Sequence, residues 1–81
     1  MATKIVMYTK HVCPHCKRAK HFLGFAPVEI ELEEVNADEV PGTFEYMSDG
    51  LNSFQFPTFV FENGNVIRGF DEGKIMTELG L

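Results

Sequence analysis

Residues 4–16, KIVMYTKHVCPHC, contain a short apolar run, a polar break and then the only two cysteines of the chain. The run Lys4–Tyr8 is largely apolar and β-branched, which predicts a buried strand. Pro14 suits the first position of a helix, where a missing N–H costs nothing, so Cys13 is the predicted N-cap residue. The stretch therefore predicts a strand, a short loop and a helix whose start presents Cys13 and Cys16.

The length and composition limit the classes of protein to which this chain can belong. With 81 residues, 44% hydrophobic and 23% charged, the chain predicts one soluble globular domain over residues 1–81. No segment approaches the roughly 20 apolar residues of a membrane span, and Met1–Lys10 lacks the apolar run of a secretory signal. We therefore expect a cytoplasmic protein with no membrane partner. The net charge of −5 argues against general nucleic-acid binding, which needs a basic face.

The charge is unevenly distributed along the chain. Most of the acidic residues lie well after the cysteines, at Glu29, Glu31, Glu33, Glu34, Asp38 and Glu39. Four of the seven basic residues surround the cysteines, namely Lys10, Lys17, Arg18 and Lys20. This basic cluster is either a solvated helix face or a local positive field around the thiols.

The segment after the cysteines predicts a helix and then a half-exposed strand. The helix runs from Pro14 to about Phe22 or Leu23, with Gly24 as a natural stop. Its inward stripe, at spacings of three and four, consists of Cys16, Ala19 and Leu23. Over residues 28–33 apolar residues alternate with glutamates, which is the period-2 pattern of a strand with one exposed face.

Residues 36–52 carry the weakest pattern of the chain. Pro41 and Gly42 interrupt any helix that starts near Asn36 or Asp38. We therefore expect a helix from about Thr43 to Ser48, with Phe44 and Met47 pointing inward.

The last third predicts a hairpin and a final helix. Thr58–Phe61 and Val66–Arg68 are apolar runs joined through Asn63-Gly64, and Asn-Gly between two such runs is the strongest short hairpin signal. Asp71 or Glu72 then opens a helix that carries Ile75, Met76 and Leu79. The order is β-α-β-α-β-β-α, which indicates an α/β fold with a mixed four-stranded sheet flanked by three helices.

The Cys-x-x-Cys pair indicates thiol–disulfide chemistry. A structural disulfide is unusual in the cytoplasm, and a bridge across so short a loop constrains the unfolded chain least. The helix N-terminus, the basic cluster and His15 should lower the pKa of the Cys13 thiol, because each stabilises the thiolate. Cys13 should face outward as the attacking thiol, whereas Cys16 on the inner stripe should resolve the mixed disulfide. A low thiol pKa mainly makes Cys13 a better leaving group and stabilises the reduced form.

A metal site is the alternative for the same pair. Cys-x-x-Cys forms half of many zinc and iron–sulfur sites. There is no second such pair, although His11, His15 and His21 could contribute ligands. We expect no bound metal and interpret His11 and His21 as surface residues.

Met7-Tyr8-Thr9-Lys10 followed by Cys13-Pro14-His15-Cys16 resembles the opening of a dithiol glutaredoxin. The resemblance covers nearly the whole chain, and the small size is similar to the compact glutaredoxins of bacteria and their viruses. It implies a monomeric protein with a thioredoxin fold and no bound cofactor. Glutathione would be its co-substrate, and it would reduce protein disulfides or glutathione mixed disulfides. A disulfide-containing protein such as a ribonucleotide reductase is the client that the family implies.

The resemblance also implies roles for individual residues. Cys13 corresponds to the nucleophile and Cys16 to the resolving thiol of the Cys13-Pro14-His15-Cys16 active site. Lys10 corresponds to a lysine near the thiolate and the glutathione carboxylate. The remaining glutathione-binding positions are Phe56, which would pair its backbone with glutathione, the cis-proline Pro57, and the segment Gly69, Phe70 and Asp71 at a helix start, where the γ-glutamyl end would bind.

Four residues depart from the family pattern. His15 replaces the usual tyrosine, and the Pro-His pair resembles the bacterial periplasmic dithiol oxidase, which favours a more oxidising potential. Gln55 and Phe56 replace Thr-Val before the proline. Arg68 replaces a glycine, and its cation either attracts anionic glutathione or is solvated. These departures leave open a redoxin that is reduced by thioredoxin reductase, and a non-catalytic metal or iron–sulfur carrier remains a further alternative.

Overall fold

The computed structural model describes residues 3–81, and its elements follow the predicted order. The strands are β1 (Thr3–Thr9), β2 (Ile30–Asn36), β3 (Thr58–Phe61) and β4 (Val66–Arg68). The helices are α1 (Pro14–Gly24), α2 (Thr43–Gly50) and α3 (Glu72–Glu78). The sheet order is β2-β1-β3-β4, with β1 and β2 parallel and the other two pairs antiparallel. The predicted mixed four-stranded sheet with three helices, a thioredoxin fold, is confirmed.

The alternation of side chains along β1 divides the core between the two faces of the sheet. Ile5 and Met7 belong to one buried cluster, which α1 and α3 cover through residues such as Leu23 and Ile75. Tyr8 belongs to the opposite cluster, whose buried members Met47 and Leu51 come from α2 and the residue that follows it. As a result, the carboxyl end of β1 is buried on both faces, directly before the cysteine loop begins.

Local capping fixes the start of two helices. Cys13 is the N-cap residue of α1, as predicted, and its sulfur accepts a hydrogen bond of 3.2 Å from the backbone N–H of Cys16. Asp71 is the N-cap residue of α3, where its Oδ1 atom accepts from the backbone N–H of Lys74 at 3.1 Å. The predicted inward stripe of α1, Cys16, Ala19 and Leu23, is buried.

Two details of the middle segment differ from the sequence-based expectation. The second strand begins at Ile30 and continues to Asn36, because its parallel ladder pairs all seven residues of β1 from Thr3↔Ile30 to Thr9↔Asn36. The prediction that Phe44 points inward is wrong, since its side chain is 50% exposed. Met47 points inward as predicted, and Thr43 is the other buried residue of α2. No helix within residues 3–81 has the length and apolar character required to cross a membrane.

Candidate active site

The two cysteines form a disulfide at the start of α1, directly after the carboxyl end of β1. Cys16 is buried among the core residues beneath α1, with 3% of its surface exposed, whereas Cys13 is only partly buried. The Cys13 sulfur also accepts the Cys16 backbone N–H. The geometry therefore leaves Cys13 partly exposed, with a backbone donor aimed at its sulfur, and buries Cys16.

The basic cluster lies partly around the disulfide. A cavity of about 480 Å³ is lined by both cysteines together with Lys10, Lys17 and Lys20. The Lys20 ammonium is paired with Glu34, at 3.2 Å from its Oε1 atom. Lys10 and Lys17 make no ion pair with any residue from 3 to 81. Two cations beside the sulfurs are thus left without an acidic partner in the described chain.

The side chain of His15 is exposed and forms no hydrogen bond or ion pair in the part of the chain that the structure describes. Its predicted effect on the Cys13 thiol therefore depends on proximity in the first turn of α1 and on charge, and no direct contact supports it. The role of His15 stays a prediction.

Two residues near the cysteine loop were not identified from the sequence. Thr9 is buried, and its hydroxyl donates a hydrogen bond of 2.9 Å to Glu34 of β2. The backbone N–H of His11 donates to Asp38 at 2.7 Å, and its ring Nε2 lies 3.0 Å from Glu39. These contacts tie the loop before Cys13 to the neighbouring strand and turn. The partners lie 25 or more positions apart, so no local sequence signal identifies them.

Lys10 and Phe56 come together beside the predicted cis-proline. The Phe56–Pro57 peptide bond is cis, as the resemblance implied. The Lys10 ammonium lies 5.4 Å from the centroid of the Phe56 ring, within the range of a cation–π contact. Within residues 3–81, neither the N–H nor the carbonyl of Phe56 has a hydrogen-bond partner. An extended chain could therefore pair with the Phe56 backbone.

The segment from Gly69 to Asp71 adjoins the cis-proline. The N–H of Gly69 donates a hydrogen bond of 2.8 Å to the Pro57 carbonyl. Gly69 has a φ of +82°, which favours glycine, and a Cβ at this position would lie 2.7 Å from Oε1 of the Gln55 side chain, which would have to shift. The backbone N–H groups of Phe70 and Asp71 have no acceptor among the described residues. Two donors of the predicted anion site are free, and a third is already used.

Phe70 and Asp71 also have structural roles. The Phe70 ring packs edge-on against Phe22 of α1, with 5.8 Å between the centroids. Asp71 caps α3, as described above. Each residue therefore has a structural reason for its identity besides the predicted contact with glutathione.

The side chain of Arg68 makes two hydrogen bonds within the fold that the sequence did not indicate. Its Nη2 atom donates to the carbonyl of Leu51 at 2.7 Å, and its Nε atom donates to the carbonyl of Asn52 at 3.0 Å. These carbonyls lie just after the end of α2, where cations are stabilised by unpaired carbonyl groups. Arg68 thus braces α2 against β4.

The arrangement shows no cluster of metal-binding side chains. Over residues 3–81, no three His, Cys, Asp or Glu side chains converge in a way that could hold a metal ion.

Comparisons with known proteins agree with this geometry. The family model described as Glutaredoxin matches residues 5–67. The thioredoxin-like protein BC3987 has 29% identity and a TM-score of 0.78, over 90% of this chain and 96% of its own. The glutaredoxin from Archaeoglobus fulgidus has 26% identity and a TM-score of 0.77, over 95% of this chain and 86% of its own.

The methanoredoxin of Methanosarcina acetivorans is also similar, with 29% identity and a TM-score of 0.76, over 96% of this chain and 85% of its own. A search of curated protein sequences gives no significant match.

Proposed function

We propose a mechanism for this chain, which belongs to the glutaredoxin family and is a thiol–disulfide oxidoreductase. In this mechanism Cys13 is the nucleophile, Cys16 is the resolving thiol and glutathione is the reductant. Its substrates are protein disulfides or glutathione mixed disulfides. A disulfide-containing enzyme such as a ribonucleotide reductase is a suitable client, with the protein acting as a cytoplasmic, monomeric electron carrier.

The observation that carries the proposal is the contrast between the two sulfurs. Cys13 is partly exposed and its sulfur accepts the Cys16 N–H, whereas Cys16 is buried. An N–H donor and a helix N-terminus both stabilise a thiolate, which is the nucleophilic form. A buried thiol cannot meet an external disulfide, but it can attack the sulfur of Cys13 beside it.

The reaction follows from these positions. The Cys13 thiolate attacks one sulfur of the substrate disulfide, and the other sulfur leaves as a thiolate that takes up a proton. Cys16 loses its proton and attacks the Cys13 sulfur, which releases the second substrate thiol and leaves the Cys13–Cys16 disulfide. Two electrons pass from the dithiol to the substrate, and two molecules of glutathione return them by the reverse exchange.

Three features support glutathione as the reductant. Lys10 is an unpaired cation within the described chain and can meet a carboxylate of glutathione. The free backbone groups of Phe56 can pair with the peptide bonds around the glutathione cysteine. The free N–H groups of Phe70 and Asp71 can meet the γ-glutamyl carboxylate.

A second candidate is a redoxin that thioredoxin reductase reduces. It is favoured by the surroundings of the predicted γ-glutamyl site, where two donors are already engaged and an amide oxygen lies close by. Arg68 is bound to carbonyl groups after α2, the Gly69 N–H is bound to Pro57, and the Gln55 amide oxygen lies over Gly69. Each of these arrangements leaves fewer groups available to bind glutathione, which is an anionic tripeptide.

Two measurements test the proposal. Equilibration of the protein with a series of glutathione redox buffers, followed by acid quenching and thiol labelling, should give a reversible dithiol–disulfide transition. In NADPH-coupled assays, glutathione with glutathione reductase should sustain turnover, and thioredoxin reductase should not. Turnover with thioredoxin reductase alone would establish the second candidate in its place.

A further inference from the structure

The backbone on both sides of Lys10 is bound to one turn, residues 37–39, which follows β2. The carbonyl of Thr9 accepts the first backbone N–H of this turn at 2.7 Å. The backbone N–H of His11 donates to Oδ2 of Asp38, also at 2.7 Å. Lys10 lies between these two hydrogen bonds, so the turn determines the path of the backbone to which its side chain is attached.

The hydrogen bond to Asp38 has no substitute in this segment. In the part of the chain that the structure describes, it is the one hydrogen bond made by a backbone group of residues 10–12. Val12, which leads to Cys13, is 81% exposed and contributes little packing. The Asp38 carboxylate is therefore the main restraint on the backbone between Thr9 and Cys13.

The Asp38 carboxylate is itself held in place by the turn. The backbone N–H of Asp38 donates to Oδ1 of Asn36 at 2.9 Å. The carbonyl of Asn36 accepts the N–H groups of Glu39 and Val40, at 3.0 and 2.9 Å. The ring of His11 adds a contact of 3.0 Å between its Nε2 atom and Glu39. Asp38 thus binds the cysteine loop from a preformed turn and through a short side chain.

The charge of Asp38 and its hydrogen bond have opposite effects on anion binding at Lys10. By charge alone a nearby carboxylate weakens anion binding, because like charges repel. Lys10 makes no ion pair with any residue from 3 to 81, and its ammonium lies 5.4 Å from the centroid of the Phe56 ring. A lysine side chain has a large rotational entropy, so its ammonium meets a ligand more readily when its backbone is fixed. The opposite signs make the two effects separable by experiment.

We infer that Asp38 is a positioning residue for Lys10: by binding the N–H of His11, it directs the Lys10 ammonium toward the carboxylate of glutathione. The inference rests on the proposed use of glutathione as the reductant. It gives Asp38 no contact with glutathione and no part in the exchange of sulfur atoms. Only a reaction that needs the Lys10 ammonium therefore depends on Asp38.

The test compares two reductants of the oxidised full-length protein. One is glutathione, with glutathione reductase and NADPH present to remove glutathione disulfide, and the other is dithiothreitol, which has no carboxylate. Both attack the same disulfide, so the ratio of the glutathione rate to the dithiothreitol rate reports the recognition of glutathione. At low ionic strength, where exposed ion pairs are least screened, Lys10→Gln should lower this ratio about fivefold.

Asp38→Ala should lower the ratio about threefold, which is within the range of an exposed ion pair. Asp38→Asn retains an oxygen that accepts the His11 N–H and removes the repelling charge, so its ratio should equal or exceed that of the wild type. Lys10→Gln combined with Asp38→Ala should lower the ratio no further than Lys10→Gln alone, whereas independent effects would multiply to about fifteenfold.

Asp49→Ala is the matched control. Asp49 is also an exposed carboxylate, but its one hydrogen bond within the described residues is with Ser48 of the same helix. Its ratio should equal that of the wild type. A wild-type ratio in Asp38→Ala, an equal loss in Asp38→Asn, or a fifteenfold loss in the double variant would overturn the inference. A wild-type protein that dithiothreitol reduces and glutathione does not would instead refute the proposed use of glutathione.

Discussion

The guanidinium group of Arg68 holds the backbone of Leu51, donating a hydrogen bond of 2.7 Å from Nη2 to its carbonyl oxygen. Leu51 follows the last residue of α2, and Arg68 is the last residue of β4. The sequence indicated Arg68 as a possible glutathione contact, and in the structure its guanidinium group is hydrogen-bonded to the backbone of the protein itself.

Replacement of Arg68 by methionine should lower the free energy of unfolding. Methionine keeps the apolar stem but donates no hydrogen bond, and a hydrogen bond with one charged partner contributes about 1.5–3 kcal/mol. Because Arg68 is exposed, we expect a loss of about 1–2 kcal/mol by urea unfolding, with Arg68→Lys intermediate. Unchanged stability together with weaker glutathione binding would show that Arg68 faces the ligand.

The two cysteines should respond differently to serine substitution. Cys13→Ser should abolish all exchange activity, because the accessible nucleophile is lost. Cys16→Ser should retain part of the reduction of glutathione mixed disulfides and should trap protein clients covalently, since no second thiol releases them. Mass spectrometry and a glutathione-coupled assay would measure both effects. A greater loss for Cys16→Ser than for Cys13→Ser in the glutathione reaction would reverse the assigned roles.

His15→Tyr should make the reduction potential more negative. His15 is exposed in the first turn of α1, where a positively charged ring favours the thiolate of the reduced form, and tyrosine cannot carry that charge. Each shift of about 30 mV corresponds to about 1.4 kcal/mol. Glutathione redox buffers would measure it, with His21→Tyr, further along α1, as the control. An unchanged potential in His15→Tyr would remove His15 from the redox mechanism.

Asp71 variants should separate helix capping from glutathione binding. Asp71→Ala removes the cap of α3 and should cost about 1 kcal/mol of stability, whereas Asp71→Ser keeps a capping oxygen and should cost less. If Asp71 also binds glutathione, both variants should raise the KM for glutathione to a similar extent. A KM that rises only in step with the loss of stability would leave Asp71 as a cap alone.

Tyr8 should make the protein lose stability at alkaline pH. Burial raises the pKa of the Tyr8 phenol above its ordinary value of 10.0, and the neighbouring Tyr46 raises it further. Well below its pKa the phenol is neutral in both the folded and the unfolded state, so it does not change the free energy of unfolding. At higher pH the Tyr8 phenol of the unfolded chain ionises first, which lowers the free energy of the unfolded state, so stability falls as the pH rises. Urea unfolding between about pH 8 and about pH 11 should show this loss.

Tyr8→Phe should remove that part of the alkaline loss, and Tyr46→Phe should retain it because Tyr8 stays buried. Equal pH dependence in the wild type and Tyr8→Phe would contradict this assignment.

Local patterns determined much of the fold. The apolar run of β1, the Asn63-Gly64 turn and the capping residues Cys13 and Asp71 act over a few positions, so the chain itself carries their signals. The wrong prediction that Phe44 points inward shows the limit of such patterns. Which side of α2 faces the sheet depends on how the helix is rotated against distant strands, and apolar character did not distinguish Phe44 from Met47.

The sequence by itself determined the dithiol, its place at a helix start and the inward position of Cys16, because a strand, a proline and a helical stripe specify them locally. Only the tertiary structure decided what surrounds the dithiol. It placed Lys10 over Phe56, bound Gly69 to Pro57 and engaged Arg68 with the end of α2. The physical reason is that these contacts join residues separated by 12 to 46 positions, and such pairs meet only when the sheet brings its strands together.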